Sequence, residues 1–151
     1  MTQRPIDARG WLYQVESAPD TWLTISNISS FKLNPGENEE TAETTHFGSD
    51  GNYEEDVMQR GASLALEGQH AVDTVTGAQD PGQAYIDTVW MPRLGVDSHN
   101  RVRFRHESQT DLWAVWDATM SPGEKGGGNN DKSTWSCTFR RSGAPTTMPV
   151  A

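Results

Sequence analysis

Alternation with a period of two recurs through this chain and limits it to a β-rich fold. Residues 101–107 carry it most cleanly, with Val102, Phe104 and His106 on one face and Arg101, Arg103, Arg105 and Glu107 on the other. Trp11, Tyr13 and Val15 alternate with Leu12, Gln14 and Glu16. The turn residues Ala18-Pro19-Asp20 then lead into a second strand over 21–28, which makes a hairpin. Further strands are expected over 60–71, with Ala62, Leu64 and Leu66 on one face, and over 133–141, with Trp135, Cys137 and Phe139 inward. Residues 112–120 are apolar on both faces, which implies a strand covered on both sides.

One helix is expected. Asp80 can cap free backbone N–H groups, Pro81 suits the first helical position, and Gln83 stands where a capping-box partner belongs. Ala84, Tyr85, Ile86, Val89 and Trp90 supply its apolar side, and Pro92 and Gly95 end it. About seven strands and one helix make an antiparallel β-sandwich or barrel with one flanking α-helix. At 151 residues the chain reads as a single domain, 1–151. Its last stretch, 142–151, has two prolines and few anchors and is expected to be loosely ordered.

Charge is distributed unevenly. The net charge of −9 comes from 21 acids and 12 bases. Glu37, Glu39, Glu40, Glu43, Asp50, Glu54, Glu55 and Asp56 follow one another with no lysine or arginine between them, so the rest of the chain is almost balanced. These residues fall in a segment, about 29–59, too poor in apolar groups to build its own core; it reads as a long acidic arm. Thr41, Thr44 and Thr45 favour extended backbone within it. The acidity argues against a protein that grips nucleic acid through phosphates. No apolar run is long enough for a membrane span, and nothing after the polar residues 1–9 resembles a signal peptide, so the expectation is a chain made and used without secretion.

Catalytic patterns are absent from the sequence. His46, His70, His99 and His106 are too widely spaced for the usual metal-binding pairs. No serine sits in a Gly-x-Ser-x-Gly turn, and Cys137 lies between inward aromatics as a packing thiol. Asp50-Gly51-Asn52 lacks the rest of a calcium loop, and Gly126-Gly127-Gly128 lacks the Lys-Ser/Thr of a phosphate cradle. The expectation is no enzyme, no metal and no cofactor.

Six tryptophans are many for such a chain. Trp11, Trp22, Trp116 and Trp135 can share one core, whereas Trp113 must face a second layer, a ligand or another subunit. Arg101, Arg103 and Arg105 form a basic stripe, and the acidic arm of an adjacent copy is a complementary partner for it. The candidate interface residues are therefore Glu39, Glu40, Glu43, Thr44, Thr45, Phe47, Glu54 and Glu55 on the arm, with Arg101, Arg103, Arg105 and Trp113 on the strands.

The order of these features resembles the major tail tube proteins of long-tailed, non-contractile (siphovirus-type) bacteriophages. The likeness runs from the tryptophan-bearing hairpin through Glu43-Thr44-Thr45-His46-Phe47 and Gly61-Ala62-Ser63-Leu64-Ala65-Leu66-Glu67-Gly68. It continues with Asp80-Pro81-Gly82-Gln83-Ala84, the 101–107 strand and a late strand ending in Ser142-Gly143. The resemblance implies a β-sandwich with a flanking helix, assembled in the host cytoplasm into stacked, hexameric rings of the virion tail. It also implies tape measure, tail terminator and distal tail proteins as partners, and genomic DNA that passes an acidic lumen unbound. Glu67 and Asp117 are the strand residues that could line that lumen. Contractile-tail tubes and the type VI secretion tube are architecturally similar, and a tail-completion protein of related fold is a further alternative. The rival class is a monomeric β-sandwich that binds carbohydrate or a receptor on exposed Trp113 and Trp90.

Overall fold

The computed structural model describes residues 2–150; Met1 and Ala151, the ends of the expected domain, lie outside the described residues. The strands are β1 (Trp11–Ala18), β2 (Thr21–Thr24), β3 (Ile28–Asn34), β4 (Glu40–Glu43), β5 (Glu55–Gln59), β6 (Ser63–Gln69), β7 (Asn100–His106), β8 (Leu112–Pro122), β9 (Thr134–Arg141) and β10 (Thr146–Pro149). Eight of them form one antiparallel sheet in the order β2-β1-β7-β8-β9-β6-β3, with β10 also on β8; β4 and β5 pair only with each other. The fold is mainly β, as the alternation predicts.

The sheet curls around its own core. Phe31 on β3, at one end of the strand order, packs on Trp11 and Tyr13 of β1 near the other end, with ring centroids 5.6 and 5.7 Å apart. The inward residues are those of the period-two pattern: Val15, Leu64, Leu66, Val102, Phe104, Trp116, Trp135, Cys137 and Phe139 are all buried. Burying Tyr13 pushes its phenol up to about 12, because the phenolate would lose its water. A cleft of about 470 Å³, lined by Trp11, Tyr13, Ile25, Ile28 and Phe31 among others, marks the seam where the curled sheet does not close.

The helix begins where the sequence places it. The Asp80 carboxylate accepts from the Gln83 N–H (3.3 Å), and Pro81 opens α1 (Pro81–Tyr85). The next turn, Ile86–Trp90, is a π turn closed by the Met91 N–H on the Ile86 carbonyl at 3.0 Å. Ile86 and Trp90 are both buried, and Trp90 stacks on Phe139 at 5.4 Å and 8°. Gln83 does not close a capping box. Its buried amide donates to the carbonyls of Ser26 (3.2 Å) and Gln69 (2.9 Å) and accepts from the Ala71 N–H (3.2 Å), fastening the helix start to two strand ends.

Four expectations need correction. Residues 29–34 belong to the main sheet as β3, paired with β6; of this strand mainly Ile28 and Phe31 meet the core, so its period-two signal is faint. The acidic projection therefore starts at the turn after Asn34, not at Ser29. The expected 21–28 strand is likewise split into β2 and the start of β3. The stretch 142–151 is not loose throughout: β10 pairs along β8, with Thr147 opposite Ala114 and Met148 opposite Trp113. Its prolines mislead because Pro145 precedes the strand and Pro149 ends it, positions where a missing N–H is tolerated. Trp22 leaves the shared core, since its register opposite Glu16 turns it to the outer face.

Candidate assembly surfaces

The first surface is the β4–β5 hairpin. Its base is latched to the body: the Gly61 N–H donates to the Glu37 carbonyl (2.8 Å), the Ser63 hydroxyl to the Glu37 carboxylate (3.2 Å), and Arg60 pairs with Glu39 (3.2 Å). Beyond that base, every residue of β4 and β5 is exposed. The hairpin brings together Glu39, Glu40, Glu43, Thr44, Thr45, Phe47, Glu54 and Glu55 as one projecting element.

Local hydrogen bonds shape its tip. The Thr44 N–H donates to the Glu54 carbonyl (3.0 Å), and the Thr45 hydroxyl oxygen accepts from the Glu54 N–H (2.9 Å). A 3₁₀ turn over Phe47–Ser49 ends at Asp50 in the left-handed region, φ 53°. Ser49 and Glu54 both approach Nδ1 of His46. A Ser-His-acid relay needs its serine and its acid on opposite ring nitrogens, so this cluster is a turn lock.

The hairpin exposes what a free element should hide. Phe47, Tyr53, Val57 and Met58 are all open to solvent. Glu43 and Glu55 are directly opposite each other, a like-charge pair that weakens a two-stranded ribbon. Tyr53 donates to Glu55 at 3.0 Å; that bond and the nearby Glu43 charge raise its phenol pKa. An isolated hairpin is marginal in water at best.

The second surface is the outer face of β2-β1-β7-β8. The basic stripe of β7 is part of a ladder of arginines and indoles. The Arg103 guanidinium lies 4.3 Å from the Trp22 ring and 4.3 Å from the Trp113 ring, Arg105 lies 4.7 Å over Trp113, and Arg101 lies 5.5 Å from Trp22. Arg103 also donates to Gln14 (2.7 Å), and Arg101 pairs with Glu16 (3.0 Å). Partial burial, then the neighbouring Arg105 and Arg101 charges, lower the Arg103 pKa against the opposing pull of Glu16. Trp113 is only 5% exposed, so it does not itself present to a partner; the chain's own arginines cover it. Sequence reasoning missed Trp22, whose place depends on the β1–β2 register. Among the described residues, no hydrogen bond or ion pair joins the hairpin to the β7 arginines.

Glu67 and Asp117 stand on β6 and β8. Glu67 lies opposite Ser30 and Ser136, Asp117 lies opposite Arg101, and β9 stands between their strands. His106 is buried, with Nε2 at the Asp7 carbonyl and Nδ1 at the Ser108 hydroxyl, both at 2.8 Å. Burial, and then the Asp87 charge, push the Cys137 thiol far above its ordinary range.

No protein-family model matches the chain, and no curated protein matches it in sequence. Solved structures match it in fold. A chain of the virion of a native gene transfer agent particle aligns with a TM-score of 0.68 at 13% identity, over 95% of this chain and 99% of that one. A chain of the tail of an empty gene transfer agent particle, computed by helical refinement with C6 symmetry, aligns with a TM-score of 0.66 at 13% identity and the same coverage. The fold is therefore one also found in chains of gene transfer agent particles.

Proposed function

We propose that this chain is a structural subunit of a phage-like tail, the tube protein that self-assembles into stacked rings of six. The observation that carries this is the β4–β5 hairpin, a fully exposed element with apolar side chains and self-opposing charge. Such an element gains stability only when another surface covers it. The free edges of β2 and β3 add to this, because joining them to neighbouring sheets removes an aggregation liability. The end-to-end match to chains of a virion and of a six-fold tail supports the same function.

In this function the protein is a conduit and not a catalyst, resident in the tail of the particle after assembly in the host cytoplasm. Tape measure, terminator and distal tail proteins are its partners, and DNA passes without specific binding. The arginine-rich face must then lie away from the DNA path, since it would hold phosphates. The alternative of a binding module on exposed tryptophans has little to work with: Trp90 is 2% and Trp113 5% exposed.

Sedimentation of the intact chain and of a chain with residues 40–59 replaced by a short Gly-Ser link tests the proposal. The intact chain should form large assemblies with rising concentration, and the shortened one should remain a folded monomer. Assemblies of equal size from both chains would contradict it.

A further inference from the structure

We infer that the ladder of Arg101, Trp22, Arg103, Trp113 and Arg105 is the receptor for the acidic hairpin of a second copy of this chain, an inference that rests on the self-assembly proposed above. The hairpin carries eight acids from Glu37 to Asp56 with no lysine or arginine among them. The ladder carries three arginines, of which, among the described residues, only Arg101 has a carboxylate partner. Arg103 and Arg105 have none among the described residues, and the Nε of Arg105 is shielded from solvent with no hydrogen-bond partner.

The two surfaces match in kind as well as in sign. Stacking between two indoles fixes the Arg103 guanidinium before any partner arrives, so little side-chain entropy remains to be lost on docking. Arginine and tryptophan dominate the strong points of protein interfaces, and here the arginines and half-buried Trp22 are the members open to a partner. On the other side, Glu43 and Glu55 repel each other across β4–β5, and a guanidinium set between them would turn that repulsion into attraction. Exposed Tyr53 and Phe47 supply the apolar part of such a contact. Among the described residues the hairpin makes no such contact within its own protomer, so the occupant is another copy.

A charge swap tests this. The set E43K/E55K lies wholly on exposed positions and should leave the fold intact. The set R101E/R105E reverses the ladder's outer members; if circular dichroism shows that it does not fold, R101Q/R105Q replaces it. Each set alone should raise the concentration needed for assembly about tenfold or more at moderate salt. A chain carrying E43K/E55K with R101E/R105E should assemble again; with the glutamine pair, adding E43Q/E55Q should cost little beyond the loss already seen. Assembly unchanged by either set, or folded swap chains that stay monomeric, would overturn the inference while an assembling wild type leaves the self-assembly proposal standing. A wild type that never assembles would overturn both. Duplex DNA binding that R101E/R105E abolishes while assembly stays normal would assign the ladder to DNA and overturn the inference too.

Discussion

At the scale of single residues, two polar side chains, Gln83 and Asp87, hold the helix in place, and Gln83 does not do so by the capping its sequence position suggests. Gln83 stands at the third helical position, yet its amide is fully buried and satisfies three backbone groups, on Ser26, Gln69 and Ala71. Replacing it with leucine strands those groups away from water and should cost about 3 kcal/mol, read from the urea midpoint. A midpoint within experimental scatter of wild type would show that water substitutes for the amide. Asp87 is 11% exposed. Burial opposes its ionisation, but hydrogen bonds from Lys125 (2.9 Å), Gln79 (2.9 Å) and the Trp135 indole (3.1 Å) outweigh that and lower its pKa. A carboxyl whose folded pKa is depressed contributes stability that is fully present above its unfolded value, about 3.9, and is lost as pH falls towards the lower folded value. The stability gap between wild type and D87N should therefore be constant near neutrality and shrink below about pH 4. A gap independent of pH would contradict the assigned network.

At the scale of elements, legibility followed how much of each strand faces the core. β7 shows every second residue buried, and its alternation could be read directly. β3 turns few side chains to the core, so residues 29–34 looked like part of the acidic arm. β10 could not be seen for a related reason: it is held by backbone pairing to β8, with only Met148 partly buried. The π turn at Ile86–Trp90 likewise leaves no mark in an apolar pattern that an ordinary α-helix would also satisfy. The hairpin is the element with the least support from the body, and this has a kinetic consequence. In dilute monomer, amides of β4 and β5 should exchange with solvent far faster than those of β6 and β9, and they should become protected in the assembled form. Equal protection in both forms would mean that the hairpin is stable alone and needs no partner.

At the scale of the whole molecule, acidic and basic charge are sorted into separate surfaces. One curled sheet and a helix surround the core, the acid excess is moved out onto a hairpin, and the arginines lie against indoles on the outer face of the sheet, Arg103 between two of them. The acidic half of this pattern was legible from charge order alone. The basic half was legible as a stripe but not as a ladder, because Trp22 joins it through strand register and Trp113 is covered by the chain's own side chains. Such sorting suits a protein whose complete form contains several copies, since each copy offers a surface and the complement to it. Electron microscopy of the concentrated, purified protein at moderate salt is the most direct test. The account predicts stacked rings with six-fold symmetry; a uniform population of 16.7 kDa monomers at every concentration would contradict it.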